Sequence, residues 1–365
     1  MLKRVIYIWL LTINLYAINI VDKYPSYSYV FSEFNLNEDY IYNSEFVDFV
    51  DKNYRRYKTF YDKSIKRGGY LVPTFKSMLL EDDLSDLLVY LAMVESGFKL
   101  DAKSSKSATG IWQFMSYTAK EYNLNVNSNF DERLDPILAT NAAMSYLHKL
   151  NRDFGKWYLA VMAYNCGEGR MQRAIKKANS DELDIVIKYL PKETQLYIQK
   201  ILLVSMIGEN ISLGFSDSLD EVSNIYGEGV VQVEVEAGER LSVVAEMIKM
   251  KPKDLLKLNH HLKSGAVPLS LPKYSINIPD DKVVDFYTLY SLKKELDRAS
   301  KCCFISHTVE KKETLNSISK KYNIEVSELI KSNSNSIKDG KIEYGQPLIV
   351  AVTEETFNKF LKGSK

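Results

Sequence analysis

Cysteine and histidine are scarce in this chain of 365 residues, which contains three cysteines and four histidines. Three scattered cysteines do not make a disulfide framework, and no histidine has a second ligand at the spacing of a metal site. We therefore expect neither a metal nor any other cofactor. The residues concerned are Cys166, Cys302, Cys303, His148, His260, His261 and His307.

An excess of charge of either sign is also lacking. The chain has 48 lysines and arginines against 47 aspartates and glutamates, so its formal net charge is +1. A nearly neutral chain gives no reason to expect nucleic acid as a partner. The length allows two or three domains, and the hydrophobic content of 45% is that of an ordinary soluble protein.

A hydrophobic run long enough to cross a membrane is missing from the start of the chain. The apolar stretch over residues 5–15 is shorter than the roughly 20 residues that a spanning helix needs. Two basic residues precede it and the small Ala17 follows it, which is typical of a cleaved secretory signal. We predict a signal peptide over residues 1–17 and no stable membrane span after its removal. The alternative is an anchor retained in the mature protein.

What the sequence does contain is a carboxyl group in an unusual place. Glu95 continues an apolar helical stripe, and Gly97 then ends the helix. Burial and the negative end of the helix dipole should both raise the pKa of this carboxyl, as a general acid requires. The alternative is an ordinary glutamate that points to solvent. The stripe consists of Leu84, Leu87, Leu88 and Leu91.

Three further motifs follow in a fixed order. Gly110-Ile-Trp-Gln113 comes within one loop of Glu95-Ser96, Ala163-Tyr-Asn165 comes later, and Glu193-Thr-Gln-Leu-Tyr197 comes last. Together these motifs resemble the catalytic domain of the soluble lytic transglycosylases, an all-α, lysozyme-like fold that cleaves peptidoglycan. Within that family the chain resembles the membrane-bound lytic murein transglycosylase D group.

This resemblance implies a single catalytic residue. Glu95 would protonate the glycosidic oxygen between N-acetylmuramic acid and N-acetylglucosamine, and would then act as the base that closes a 1,6-anhydro ring. Gln113 would offer donors and an acceptor to the sugar, and Asn165 would hold the N-acetyl group. The other residues expected to bind substrate are Ser96, Gly110, Tyr164 and Tyr197.

Several side chains in these motifs allow two interpretations. Ser96 either orients the carboxyl or lines a subsite, and Tyr197 either hydrogen-bonds Glu95 or contacts the sugar. Glu121 and Glu168 are expected to be solvated, although the residues alone leave either open as a second carboxylate. Three apolar residues are expected in the core rather than in a subsite, namely Trp112, Phe114 and Met115.

Apolar periodicity divides the chain up to residue 229. Residues 18–40 show no clear period and predict an irregular arm, the first part of an N-terminal segment over 18–70. An all-helical catalytic domain is expected over 71–214, and one of its helices is expected over 111–122. A linker over residues 215–229 follows.

Beyond the linker, a pattern of strand, two helices and strand occurs twice. Leu241 and Asn259 in the first copy have the same separation as Leu315 and Asn333 in the second. Each copy resembles the small α+β LysM module, which binds glycan chains that contain N-acetylglucosamine.

The two copies predict modules of βααβ topology over residues 230–280 and 301–351. A charged, helical connector is expected between them, over residues 282–298. The first copy is the more divergent. The second copy has Lys311-Lys-Glu-Thr314 where LysM modules usually have a Gly-Asp-Thr turn.

With this resemblance, we predict a periplasmic peptidoglycan lytic transglycosylase, associated with the cell wall. Its partners would be glycan strands, bound by the catalytic domain and by the modules. One alternative is a hydrolytic muramidase on the same fold, which would leave ordinary reducing ends. Another is an inactive peptidoglycan-binding scaffold, against which the intact motifs argue.

Overall fold

The computed structural model describes residues 20–215, 229–299, 303–337 and 340–363. The predicted signal peptide and most of the predicted linker lie outside these residues. The described chain separates into two units, one that ends at Val230 and one that comprises Ser128–Phe130 and the chain from Val231 onward. None of the described helices is both long and apolar enough to cross a membrane. The same residues contain no group of three histidine, cysteine, aspartate or glutamate side chains that could hold a metal ion.

The N-terminal arm is helical, which corrects the prediction of an irregular segment over residues 18–40. It contains the helix α1 (Tyr27–Glu33) and a 3-10 helix at Glu38–Tyr42. Val30 and Phe31 of α1 are fully buried, so packing stabilises the segment. A helix of 7 residues makes too few turns to show a period in the sequence.

Helices form the rest of the first unit, as predicted. In chain order they are α2 (Ser44–Gly68), α3 (Val72–Glu81), α4 (Val89–Ser96), α5 (Ser116–Glu121), α6 (Pro136–Phe154), α7 (Trp157–Cys166), α8 (Glu168–Ala178), α9 (Leu183–Val186) and α10 (Lys192–Ser212). Single 3-10 turns lie between some of them, at Gly69–Leu71, Asp86–Leu88, Glu132–Leu134 and Ile187–Tyr189.

The centre of this unit is α7. Every residue from Tyr158 to Ala163 is buried, and α6, α8 and α10 all pack against the helix. A helix that is apolar on all sides needs neighbours on all sides, which explains its central place. The start of α6 is fixed by Asp135, which accepts the backbone N–H groups of Ile137 and Leu138 at 2.9 Å each.

The arm holds the C-terminal end of α10. Oδ1 of Asn210 accepts the backbone N–H of Ser26 at 3.2 Å and the Ser26 hydroxyl at 2.7 Å. Nδ2 of Asn210 donates to the carbonyl oxygen of Lys23 at 2.7 Å. Because Ser26 and Asn210 are both buried, these bonds satisfy groups that water does not reach.

The chain between α4 and α5 is a folded loop, which corrects the prediction of a helix over residues 111–122. Gly110 has φ +83° and Gln113 has φ +51°, values that a right-handed helix does not contain. Thr109 and Phe114 close the loop, because their backbones exchange hydrogen bonds at 3.0 and 3.1 Å. The helix α5 therefore begins only at Ser116.

The second unit contains two βααβ modules, as predicted, with a helix after each. The first module and its helix are β1 (Val230–Glu236), α11 (Leu241–Met247), α12 (Pro252–Leu258), β2 (Lys273–Pro279) and the connector α13 (Val283–Ala299). The second module and its helix are β3 (Cys303–Thr308), α14 (Leu315–Tyr322), α15 (Val326–Ser332), β4 (Pro347–Val352) and α16 (Glu354–Gly363). β1 pairs with β2, and β3 pairs antiparallel with β4, with Ile305 opposite Val350.

A buried asparagine ties the helices of each module to its last strand. In the second module, Asn333 accepts the backbone N–H of Ile349 at 2.7 Å and donates to the carbonyl oxygen of Ile349 at 2.7 Å. In the first module, Asn259 makes the same pair of bonds to Asn277, at 2.7 and 2.8 Å. The equal separation seen in the sequence therefore reflects one structural device used twice.

Candidate active site

The position of Glu95 is set by the end of α4. Gly97 adopts φ +60° and stops the helix, and its N–H donates to the carbonyl oxygen of Met93 at 2.7 Å. Arg67 of α2 donates to the carbonyl oxygen of Gly97 at 2.6 Å. The turn that carries Glu95 is therefore held both by its own cap and by a neighbouring helix.

The carboxyl of Glu95 is only partly exposed and does not point freely into solvent. Burial raises the pKa of Glu95 from its ordinary value of 4.5 to about 7, against the hydrogen bond from Tyr197, which lowers it. The charge of Glu193 also raises this pKa, and that of Lys200 lowers it. Near neutral pH the carboxyl is therefore present in both its acid and its base form.

Tyr197 of α10 donates a short hydrogen bond to Oε1 of Glu95. The ring is buried, and burial together with the charge of Glu95 raises the pKa of the Tyr197 hydroxyl well above its usual value. Tyr197 therefore remains a proton-bearing donor at neutral pH. Since Oε1 is engaged, the other carboxyl oxygen, Oε2, is the one left to exchange a proton with a ligand.

The loop around Gly110 leaves no room for a side chain. A Cβ atom at Gly110 would lie 1.7 Å from the carbonyl oxygen of Arg133, and the residue has φ +83°. The guanidinium of Arg133 in turn donates to the carbonyl oxygens of Phe114 and Ser107 at 3.1 and 3.2 Å, and pairs with Asp131 at 2.8 Å. The role of Gly110 in the loop is therefore close packing of the backbone.

Gln113 uses its donors within the loop, which corrects the expectation that it offers both donors and an acceptor to a sugar. Its Nε2 donates to the carbonyl oxygens of Gly110 at 2.7 Å and of Ala102 at 3.3 Å. Because one amide nitrogen has two hydrogens, both are occupied, and the acceptor Oε1 is what remains for a ligand.

Tyr164 joins this loop to α7. Its hydroxyl donates to the carbonyl oxygen of Trp112 at 2.8 Å, and the charge of Glu95 contributes, after burial, to raising its pKa well above the usual value. The ring of Tyr164 lies 5.3 Å from that of Tyr146, which lies 5.1 Å from that of Tyr122. The rings of Tyr164, Tyr146 and Tyr122 are therefore in successive contact.

Asn165 is bonded to the fourth motif. Its Oδ1 accepts the hydroxyl of Thr194 at 2.9 Å, and Thr194 is buried in the first turn of α10. The structure thus connects three of the predicted residues to Glu95, directly or through α10. Tyr197 is hydrogen-bonded to Glu95, and the charge of Glu95 acts on Tyr164. Asn165 is bonded to Thr194, which lies one turn before Tyr197 in α10.

The Ser96 hydroxyl is used within its own helix, where it donates to the carbonyl oxygen of Ala92 at 3.1 Å. No hydrogen bond between Ser96 and the carboxyl of Glu95 is found among the described residues, so the contacts do not support the interpretation in which Ser96 orients the carboxyl. Glu121 is exposed, and Glu168 forms an ion pair with Lys149. Neither glutamate is hydrogen-bonded to Glu95 in the described chain.

The three apolar residues of the loop divide differently than expected. Trp112 and Phe114 are buried, and Trp112 Nε1 donates to the Thr140 hydroxyl at 2.9 Å. Met115 is 46% exposed, so the prediction that it lies in the core is wrong. It stands at the N-cap of α5, just outside the closed loop.

Sequence reasoning missed three residues that shape this site. Glu193 and Thr194 belong to the same motif as Tyr197, and this motif is the signal in the sequence that could have identified them. Glu193 acts on Glu95 through its charge, and Thr194 is bonded to Asn165. Arg133 carries no signal in the sequence, because the carbonyl groups that it binds are revealed only by the fold of the loop.

Comparison with protein families identifies three segments of the chain. Residues 75–187 match the transglycosylase SLT domain, residues 230–294 match the LysM-like domain of lytic transglycosylase MltD, and residues 307–351 match the LysM domain.

The chain is also similar to curated relatives and to a solved structure. The chain is 30% identical over 274 residues to the membrane-bound lytic murein transglycosylase D of Escherichia coli strain K12, and equally to that of strain O6:H1, over 72% of this chain and 59% of each relative. It thus spans about three fifths of the length of these relatives. The 70 kDa soluble lytic transglycosylase of Escherichia coli is 23% identical, with a TM-score of 0.34 over 38% of this chain and 24% of that one.

The order of the three matched domains agrees with the order of the helical unit and the two βααβ modules in the structure. The chain therefore contains a helical, lysozyme-like SLT domain followed by two LysM-type domains, and over 72% of its length it is similar to the membrane-bound lytic murein transglycosylase D of Escherichia coli.

Proposed function

We propose that this protein is a peptidoglycan lytic transglycosylase and that Glu95 is its only general acid and base. The observation that carries the proposal is the pKa of about 7 at Glu95, together with the hydrogen bond from Tyr197. A carboxyl group with such a pKa can give up and take back a proton within one catalytic cycle at neutral pH.

In the first step, protonated Glu95 gives its proton to the glycosidic oxygen between N-acetylmuramic acid and N-acetylglucosamine. The bond from this oxygen to the anomeric carbon breaks, and the oxygen leaves as the 4-hydroxyl of N-acetylglucosamine. The acetamido oxygen of the muramic residue stabilises the positive charge at the anomeric carbon. Tyr197 stabilises the carboxylate that is formed on Glu95.

In the second step, the Glu95 carboxylate takes the proton of the muramic 6-hydroxyl, and the oxygen of that hydroxyl bonds to the anomeric carbon. The product is a 1,6-anhydro ring, Glu95 is again protonated, and no water is consumed. Glycosidases that use water commonly place two carboxyl groups across the bond. The bond-making group here belongs to the substrate, so one carboxyl suffices.

The remaining predicted residues are assigned to substrate binding. Gln113 would accept a hydrogen bond from the sugar through Oε1, and Asn165 would hold the acetamido group. Ser96 and Tyr164 would line the site. Gly110 would contribute indirectly, because its close packing against Arg133 sets the path of the loop that carries Gln113.

The rest of the chain is proposed to deliver the catalytic domain to its substrate. We assign the catalytic domain to residues 71–214 and the glycan-binding modules to residues 230–280 and 301–351. The segment 1–17 would direct export to the periplasm, where peptidoglycan is the partner.

Mass spectrometry of products from purified sacculi, digested in ¹⁸O-labelled water, tests the proposal. We expect muramic ends that carry a 1,6-anhydro ring and no label. Reducing ends that have taken up ¹⁸O would show that the protein is a hydrolase.

A hydrolytic muramidase is the second candidate, and one observation bears on it. Glu193 is exposed and its charge raises the pKa of Glu95, so we take it as the candidate carboxylate for activating a water molecule. Replacement of Glu193 by Gln tests this role. A transglycosylase should keep forming anhydro ends, whereas a hydrolase that depends on Glu193 should lose its activity.

A further inference from the structure

We propose that the first LysM-type module positions the loop that carries Gln113, and that Phe130 is the residue through which it does so. Phe130 lies in the chain between α5 and α6, but it packs in the core of this module. The module would thus shape the candidate site, a role that goes beyond the glycan binding assigned to it above. The inference rests on the proposed function only where Gln113 is taken to bind the sugar.

Phe130 is enclosed by residues of the first module. Its side chain is 8% exposed and belongs to the buried apolar core of the module. Its ring lies 5.3 Å from that of Tyr274, which is in β2. The backbones of Phe130 and Leu262 form a short antiparallel bridge, and the N–H of Lys263 donates to the carbonyl oxygen of Asn129 at 3.4 Å. Both the ring and the backbone of this segment are therefore held by the module.

The stretch Ser128–Phe130 is the tip of a loop that is closed at its base. There the N–H of Glu132 donates to the carbonyl oxygen of Asn125 at 2.9 Å, and the Glu132 carboxylate accepts the N–H of Asn125 at 2.7 Å. Val126 and Asp131 form a bridge between the two sides of the loop. A short loop closed in this way has little freedom, so the position of its tip limits the position of its base.

Asp131 begins the segment that holds the loop between α4 and α5. Its carboxylate accepts two hydrogen bonds from the Arg133 guanidinium, each at 2.8 Å. Arg133 also donates to the carbonyl oxygens of Ser107 and Phe114, and its own carbonyl oxygen packs against Gly110. Because two parallel bonds fix the plane of a guanidinium, the position of Asp131 determines where Arg133 holds the loop.

The loop that is held in this way contains Gln113. Its Nε2 donates to the carbonyl oxygen of Gly110 at 2.7 Å, so the direction of its free acceptor Oε1 follows the backbone at Gly110. The contacts described above for Glu95 come instead from Tyr197 and from the end of α4. Loss of the Phe130 ring should therefore weaken substrate binding and leave the acid unchanged.

Phe130→Ala in the full-length protein removes the ring and leaves the bonds at the base of its loop in place. We expect the amide hydrogens of Thr109 and Phe114 to exchange faster, because their loop has lost support. On soluble glycan fragments KM should rise about 5-fold, the effect of losing about one hydrogen bond, while kcat and its pH dependence are unchanged. A variant that was only less stable would contain less active protein, and would lower kcat without raising KM.

Tyr274→Ala makes the corresponding change from the side of the module. It should give the same faster exchange and the same rise in KM, although Tyr274 is distant in sequence from the loop. Tyr287→Ala is the matched control, because it removes an exposed aromatic ring of α13 in the same unit, and it should leave exchange and KM at their wild-type values.

Phe130→Leu tests for rescue, since it keeps a large apolar side chain in the core of the module. It should retain the wild-type KM and the slow exchange of the loop. Should Phe130→Ala fail to fold, Tyr274→Ala still breaks the same contact from the other side.

A double variant shows whether the two rings act through one contact. Phe130→Ala and Tyr274→Ala together should raise KM no more than Phe130→Ala alone. Additive rises in KM, or unchanged exchange at Thr109 and Phe114 in both single variants, would overturn the proposal. Faster exchange with an unchanged KM would support the positioning of the loop and count against sugar binding by Gln113, so failure of the proposed function can be told apart from failure of this inference.

Discussion

Glu95 and the buried asparagines of the LysM-type modules have different kinds of partner. The carboxyl of Glu95 accepts a hydrogen bond from another side chain, the hydroxyl of Tyr197. In the modules, Asn259 and Asn333 bond to the backbone of the last strand. Backbone partners cannot titrate, so they fix a fold at any pH, whereas a titratable partner allows the protein to tune a proton. The comparison therefore separates a side chain that tunes the pKa of a carboxyl from side chains that hold a fold.

The largest effect on activity should come from removing the ionisable carboxyl group of Glu95. Glu95→Gln keeps the shape and the bond to Tyr197 but cannot act as an acid. Activity on sacculi should fall by about 100-fold to 10,000-fold, the range of general acid–base catalysis, while the circular dichroism spectrum is unchanged.

Glu121→Gln is the matched control, because it makes the same chemical change at an exposed glutamate of the same unit. It should leave activity close to that of the wild type. If Glu95→Gln remained active, the acid would have to be sought among the other carboxyl groups of this unit.

Glu95→Gln should also differ from the wild type in its free energy of unfolding. The folded-state pKa of Glu95 is raised, so its favourable contribution is present below pH 4.5 and is lost as the pH rises through about 7. Glu95→Gln does not suffer this loss and should be more stable above pH 7 by about 3 kcal/mol, at 1.36 kcal/mol per pKa unit. Urea unfolding at pH 4 and pH 8 measures the difference. An equal difference at both pH values would show that Glu95 is not desolvated.

The sequence predicted the position of Glu95 but not all of its surroundings. The stripe of leucines and Gly97 determine where Glu95 lies, because helix periodicity and a left-handed cap are local properties. The loop that contains Gln113 was wrongly predicted as a helix. Its shape depends on Arg133, which binds it from a segment about 20 residues away, and local sequence does not reveal such a contact. The prediction of an irregular arm was wrong for a related reason, since the helices of the arm are stabilised by burial against distant parts of the chain.

A backbone-bonded asparagine should affect folding and not chemistry. Asn333→Ala would leave the backbone N–H and carbonyl groups of Ile349 without their buried partner, at a cost of about 2 kcal/mol. Hydrogen exchange of β3 and β4 should accelerate, while activity on soluble glycan fragments stays the same. Asn335→Ala, at an exposed position of the same loop, is the control. Equal protection in the two variants would contradict the role of Asn333.

The pH dependence of the reaction should reveal the partner of the acid. The wild-type rate should decline as the pH rises through about 7, where Glu95 loses its proton. Tyr197→Phe removes the hydrogen bond that lowers this pKa, so the decline should move to a higher pH. Rates measured from pH 5 to pH 9 test both statements. A decline at an unchanged pH would mean that the bond does not act on the acid.

The smallest effect on the reaction itself should come from removing the second module. A protein without residues 301–351 should be retained less on sacculi, because one of the two proposed glycan-binding modules is gone. Its activity on soluble glycan fragments should be largely intact, because no residue near Glu95 has been touched. Cosedimentation with sacculi measures the first property, and equal retention would exclude glycan binding by this module.

The bonds between the arm and α10 have a mechanical consequence. A helix of 21 residues is about 30 Å long, and α10 carries Thr194 and Tyr197 near one end and Asn210 near the other. The arm thus fixes the C-terminal end of α10, while the N-terminal end of the same helix carries the hydrogen-bond donor to Glu95. Shortened versions of the protein that begin after Ser26 would release the C-terminal end, and a loss of activity in them would not by itself indicate a missing catalytic group.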